Sequence, residues 1–275
     1  MPLLDKLSDN IYAHDKEVTM CNTGVISTDT GNYVIDTGMY PKIATKLLGE
    51  VKDMKKTFEG TFITHYHFDH VGGNQAFTSK PIYAHKLCSE NFVSSYSQEE
   101  LDKEISDDEN KELYEGFKLT DASNIYDTEI FSPAENSDIV CYLTGGHTSG
   151  SVIVHYKPEN IVFAGDNVFA KTFPWGGDKS ADPYKMLSSI KKILSFNPQI
   201  VVPGHGPVQH DLEDIHYFKE YMTKILETGE EGLKENKDDE SIFSELMAIP
   251  FHADPDQRKP PSVKHWIEVI KAKHS

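Results

Sequence analysis

With 275 residues, 27 Lys plus Arg against 44 Asp plus Glu and a net charge of −17, the chain is strongly acidic and long enough for a substantial core. That charge repels polyanions at long range, which sets aside nucleic acid and anionic membrane and leaves a small-molecule substrate as the expected partner. Arg258 is the sole arginine, so paired guanidinium clamps on phosphate or carboxylate are scarce as well.

Cys21, Cys88 and Cys141 are odd in number and far apart, which argues against a disulfide framework and against a CxxC site and predicts three reduced, partly buried thiols. The first residues lack a basic segment followed by an apolar one, and no run approaches the ~20 apolar residues of a membrane span. A cytoplasmic protein is the expectation. The oligomeric state is not legible, and a homodimer is compatible with the sequence.

In chain order, residues 10–14, 24–28 and 32–36 read as short antiparallel strands separated by Asn-Thr-Gly and Gly-Asn turn signals. The third ends in Asp36-Thr37-Gly38. Asp36 either caps the helix that starts near Pro41 or supports a nearby site from behind, and one aspartate can do both. Ile43, Leu47, Leu48 and Val51 give that helix an apolar face.

A strand at 60–63 then leads into His65-Tyr66-His67-Phe68-Asp69-His70. In an extended strand His65 and His67 share a face and can close on one cation, while Asp69 and His70 fall where the strand turns at Gly72-Gly73. Imidazole and carboxylate without a nearby thiolate suit zinc or a similar divalent metal.

After a strand at 81–84 the stretch from Gln98 to Glu115 is dense in acid and reads as a solvated helical insertion. Phe92, Val93 and Tyr96 would let it fold over the site as a lid. Strands at 138–143 and 151–156 flank a glycine-rich loop carrying His147, and the apolar strand 161–166 is expected to end at Asp166. Asp182-Pro183 opens a helix with Tyr184, Leu187, Ile190 and Leu194 on one face; a strand at 199–202 then reaches His205 in Pro-Gly-His-Gly-Pro. Site residues collect at strand ends in α/β sheets, which is where Asp166 and His205 fall. Beyond Pro207 come an amphipathic helix, a charged connector at 230–240 and a last helix after Pro260-Pro261.

The candidate donors are thus His65, His67, Asp69, His70, His147, Asp166 and His205. Seven exceed the needs of one tetrahedral zinc and suit two metals that share a carboxylate.

HxHxDH at 65–70, followed in order by His147, Asp166 and His205 and preceded by Asp36, resembles the metallo-β-lactamase superfamily over about residues 10–210. The resemblance implies an α/β fold, a four-layer αββα sandwich with the metals at one edge between the sheets. One domain over 1–275 is expected, with a helical insertion at about 86–120 and a helical C-terminal extension at about 210–275. It further implies that His65, His67 and His147 hold a first metal, Asp69, His70 and His205 a second, and that Asp166 bridges them, with zinc expected and iron or manganese as alternatives.

His67, where di-iron flavoproteins of the superfamily have glutamate, disfavours that branch. An aspartate at 166 looks like the glyoxalase II, lactonase and phosphodiesterase branches rather than true zinc β-lactamases. Ser151 replaces a glyoxalase II histidine, and Phe169 stands where quorum-signal lactonases carry a tyrosine. The expected reaction is hydrolysis of an ester, thioester, lactone or similar bond by a water that the metals activate, with Asp69 orienting it or relaying its proton. Phe169, Phe173 and Trp175 are the candidate pocket residues, core packing being the other role open to Phe173 and Trp175. A mononuclear iron oxidoreductase of the persulfide dioxygenase type, a β-lactam or phosphodiester hydrolase, and a sensor that keeps the fold are the alternatives.

Overall fold

A computed structural model describes residues 2–14, 19–135, 137–252 and 257–274. Two sheets lie face to face. The first has seven strands in sequence order: β1 (Asp5–Lys6), β2 (Ile11–His14), β3 (Thr23–Thr28), β4 (Gly31–Ile35), β5 (Phe58–Phe62), β6 (Ile82–His85) and β7 (Asn124–Tyr126). β1 to β4 are antiparallel, and β4 to β7 run parallel. The second holds β8 (Ile130–Phe131), β9 (Ile139–Leu143), β10 (Val152–Tyr156), β11 (Ile161–Phe169) and β12 (Ile200–His205) in the order β12-β11-β10-β9-β8.

The central strands of both sheets are buried on two faces, and β9, β10 and the first half of β11 read as near-continuous apolar runs rather than alternating ones. Successive residues still take opposite sides. Ile26, Ile35 and Phe62 of the first sheet meet Val154, Phe163 and Val202 of the second in an inner core. Val25 and Val34 turn outward onto α1 (Pro41–Lys52), where Leu47 and Val51 cover them together with Cys88 and Phe92 of α3 (Lys86–Ser95). On the far side Ile153, Val162 and Val201 meet α5 (Pro183–Ser195), α6 (Glu213–Lys234), α7 (Asp239–Ala248) and α8 (Lys259–His274). The layers are therefore α, β, β, α, as expected.

α5 starts as its sequence requires, the Asp182 carboxylate accepting from the backbone N–H groups of Tyr184 and Lys185 while Pro183 occupies the first turn. The acidic insertion is helical at α3 and at α4 (Gln98–Asp107). Among the described residues no helix is long and apolar enough to cross a membrane, and all three cysteines are free and buried.

Three expectations need correction. The strand before the histidine motif stops at Phe62, so His65 and His67 stand in a loop between it and the short helix α2 (Phe68–Val71) rather than in a strand. β11 does not end at Asp166 but runs on to Phe169, with register shifts against β12 on either side of the carboxylate. The stretch 230–240 is a connector only at its centre: α6 extends to Lys234 and α7 begins at Asp239, capped by Asp238. Charged residues there occupy the solvent sides of helices, while Gly232 packs closely against Ile242 between them.

Candidate metal centre

Seven donors meet where the C-terminal ends of β5, β9, β11 and β12 reach one edge of the sandwich. The ligand atoms of His65, His67, His147 and Asp166 lie within 4.8 Å of one another, and so do those of Asp69, His70 and His205. Asp166 lies between the two sets. Its Oδ2 is 3.2 Å from His147 Nε2, 3.4 Å from His205 Nε2 and 3.8 Å from His65 Nε2, and its Oδ1 is 3.1 Å from His70 Nε2. Asp69 Oδ2 reaches His205 Nε2 at 3.2 Å. The register shifts in β11 and a glycine in β12 make room for this carboxylate: a Cβ on Gly204 would stand 1.9 Å from Asp166 Oδ1.

Each deep imidazole is aimed by what holds its outward nitrogen, which also selects its tautomer. His147 Nδ1 donates to the Trp175 carbonyl at 2.8 Å, leaving Nε2 as an inward lone pair. His67 Nε2 donates to Asp178 Oδ2 at 3.1 Å, leaving Nδ1 inward. His70 Nδ1 donates to Asp36 Oδ2 at 2.8 Å. Asp36 also accepts from the Thr64 amide at 2.8 Å and the Thr64 hydroxyl at 2.7 Å. The first turn of α1 has no side-chain cap, so Asp36 supports the site and does not cap the helix.

These tautomers leave acceptors facing acceptors. His147 Nε2 and His67 Nδ1 are 2.8 Å apart, a repulsive pair unless a proton or a cation lies between them. His65 Nε2, His70 Nε2 and Asp166 Oδ1 are buried with no hydrogen-bond partner. A buried polar atom without a partner costs about 1–3 kcal/mol, and three converging here fit a cation that would satisfy them together.

The electrostatics agree. Burial keeps His65 well below the usual imidazole range and lowers His147 to about 4, so both remain neutral donors, as coordination requires. Burial would also lower His205, but the charges of Asp166 and Asp69 outweigh it and raise His205 to about 9. His70 is raised as well, burial being overcome by the anionic groups around it. Asp166 is held well below the carboxylate range by His205, His70, His147 and His65, against the effect of burial.

The pocket residues fare unevenly. Phe173 is fully buried and packs against Tyr221, Phe251 and Trp266, so it belongs to the core and lines no surface. Phe169 is also buried, its ring 5.3 Å from that of His205 and 5.7 Å from that of His147, backing the donors from within the sheet. Trp175 is half-buried and serves His147 through its main-chain carbonyl.

Asp178 and Asn22 were not anticipated. Asp178 also accepts from the Tyr66 hydroxyl and from Ser180 N and Oγ at 2.8 and 2.6 Å; these bonds and that from His67 hold it below the carboxylate range despite burial. Its only sequence signal is a carboxylate after Gly176-Gly177. Asn22 ties the loop before β3 to the His205 loop, Nδ2 donating to the carbonyls of Pro203 at 2.9 Å and Gly206 at 2.7 Å.

The family model described as "Metallo-beta-lactamase superfamily" matches residues 17–205. A relative named "Beta-lactamase-like protein 2 homolog" from Caenorhabditis elegans is 24% identical over 91% of this chain and 79% of its own length. An "Atrochrysone carboxyl ACP thioesterase" from Aspergillus fumigatus is 24% identical over 70% of this chain and 52% of its own length. Among solved structures, the DIM-1 metallo-beta-lactamase aligns with a TM-score of 0.62 at 20% identity, covering 80% of this chain and 96% of that one. A double mutant of the sec-alkyl sulfatase PisA1 aligns with a TM-score of 0.74 at 13% identity over 98% of this chain and 50% of that one. Structural likeness at these identities speaks to the fold alone.

Proposed function

From the premise that this chain belongs to the metallo-beta-lactamase superfamily, we propose that it is a hydrolase that uses two divalent cations, zinc by preference, to cleave an ester, thioester or lactone of a small molecule. The observation that carries this reading is the pair of donor sets meeting at Asp166, with three buried atoms that have no partner except one another. Membership implies divalent metal binding, and this donor set fits it. His65, His67 and His147 would hold one cation, Asp69, His70 and His205 the other, and Asp166 would touch both. When bound, such cations supply Lewis acidity and a coordinated water whose pKa falls to about 7.

The chain's own residues do the rest. Asp36, Asp178 and the Trp175 carbonyl fix the imidazoles before substrate arrives, so little reorganisation is needed during reaction. Asp69, whose side chain is 27% exposed, is the carboxylate at the mouth. It is held below the usual range by His70 and His205 against burial, so it is ionised at neutral pH and can accept a proton from an attacking water. No activated serine or cysteine is needed, and burial pushes Cys21, beside the cluster, up to about 12, too high for a thiolate nucleophile. The thioesterase name of one relative supports a carbonyl centre.

The test is metal quantification on the protein as purified, followed by zinc loading and a panel of ester, thioester, lactone, β-lactam and phosphodiester substrates. About two zinc per chain with turnover on a carbonyl substrate is the expected result. One iron per chain with oxygen uptake, or turnover confined to phosphodiesters, would overturn it.

A further inference from the structure

We propose that Phe68, Tyr96 and Phe117 form an apolar subsite at the mouth of the metal centre, and that the substrate therefore carries an uncharged acyl or aryl group. The inference rests on the hydrolase reading for the word substrate, but not for the subsite itself.

The centre opens to solvent on one side, where the side chains of His67, Asp69 and His205 are 17%, 27% and 24% exposed. Phe68 lies between His67 and Asp69 in the chain and is half-buried, as are Tyr96 and Phe117 of the insertion. The Phe68 ring stands 5.8 Å from that of Tyr96 and 5.6 Å edge-on from that of Phe117. Tyr96 also stands 6.0 Å from Tyr66, and the Asp69 charge adds to burial in raising its phenol, so that hydroxyl remains protonated beside the mouth. Two other aromatics of the insertion, Phe92 and Tyr114, are fully buried beneath this group and supply its packing. The three rings left half-open next to a polar centre match the usual make-up of a small-molecule pocket, apolar walls around a few convergent polar groups.

Hydrogen bonds hold the insertion against the site on both flanks. Asn91 Nδ2 donates to Ser149 Oγ at 2.8 Å, two residues from His147, and Lys179 Nζ reaches the hydroxyls of Ser94 and Ser95 at 3.3 and 3.4 Å. On the other flank Gln75 Nε2 donates to the Gly116 carbonyl at 3.0 Å, and Asn74 Nδ2 to the Thr120 carbonyl at 3.0 Å. Charge argues for an uncharged group: α4 exposes Glu99, Glu100, Asp102 and Glu104, which disfavours an anion approaching over the insertion.

The test uses the zinc-loaded full chain with two readouts. Calorimetry compares octanamide, acetamide and an octanamide bearing a terminal carboxylate, and kinetics compares kcat/KM for octanoyl and acetyl p-nitrophenyl esters. Octanamide is expected to bind at least about tenfold tighter than acetamide, since several methylenes leave water, and the carboxylate analogue more weakly than octanamide. Phe117→Ala should erase most of that preference, Phe117→Leu should keep part of it, and Ile130→Ser, on an exposed edge strand, should leave it intact. Equal binding of the two amides, an intact preference in well-folded Phe117→Ala, or tight binding of the carboxylate analogue would overturn the subsite. Selective octanamide binding by a chain that hydrolyses none of the substrate panel would uphold the subsite and sink the hydrolase. Ester turnover without any chain-length preference would do the reverse.

Discussion

His65, His147 and Asp166 are almost wholly buried, and every imidazole of their set is held from behind, His65 by the Thr64 hydroxyl at 3.2 Å, His67 by Asp178 and His147 by the Trp175 carbonyl, whereas Asp69 and His205 stand about a quarter exposed at the rim. In the rim set the partner seen behind a donor is Asp36, on His70. The difference separates two tasks. On the proposed two-cation reading, the deep set would be preorganised to take a cation tightly, and the open set would leave a face that a substrate can approach. In the deep set burial lowers His65 and His147, the latter to about 4, while the rim set holds raised imidazoles, His205 at about 9.

The largest effect should come from removing what the two sets share. Asp166→Asn is expected to lower bound metal to one equivalent or less and kcat/KM by at least about a hundredfold, read by metal analysis after dialysis and by steady-state kinetics. Retention of both equivalents would break the picture of a joint ligand. Gly204→Ala tests the same carboxylate from the backbone side, since the new Cβ must push Asp166 aside; an unfolding free energy lower by about 1–3 kcal/mol, read from denaturant unfolding, together with weaker metal retention is expected.

Next comes the contrast between the two supports. Asp178→Asn should weaken the tighter cation, and Asp36→Asn the weaker one, each by about 10–100-fold. Competition with a chelator of known affinity reads both, and a shift of the same equivalent in the two variants would erase the distinction between deep and rim.

The pH dependence sharpens it further. His205 and His70 carry raised values, so they hold protons at pH 7.5 that coordination must expel. Affinity for the rim cation should therefore rise with pH by about tenfold per unit for each proton released, the contribution of His205 flattening near pH 9. In the deep set His65 and His147 are already neutral and have no proton to release, so affinity there should depend less steeply on pH; equal slopes for both cations would contradict the electrostatics. The smallest effect belongs to Trp175→Ala, expected to change metal affinity by less than about twofold because the main-chain carbonyl, not the indole, holds His147.

Much of the centre could be read from the chain because its donors come in short, local patterns. The crowding of 65–70 and the glycine-flanked settings of His147, Asp166 and His205 are properties of neighbouring residues. Asp178 could not be found that way, since it serves His67 from 111 residues away, and a carbonyl such as that of Trp175 has no residue type to announce it. Phe173 and Phe169 had the right composition for a pocket, but burial depends on which helix covers a loop. The helix boundaries around Lys234 and Asp239 were lost because surface charge on a helix and charge in a connector look alike in one dimension.

The amino-acid order alone marked out most strands and helices and the seven His and Asp side chains that the fold brings together, because apolar periodicity and glycine turns act over a few residues, while the αββα layering was implied by the resemblance those motifs carry. Only tertiary structure decided which nitrogen of each imidazole faces inward, how Asp166 is shared and which aromatics remain open to solvent. Those depend on partners brought together from distant segments, and hydrogen-bond geometry and burial are properties of the folded assembly rather than of any stretch of it.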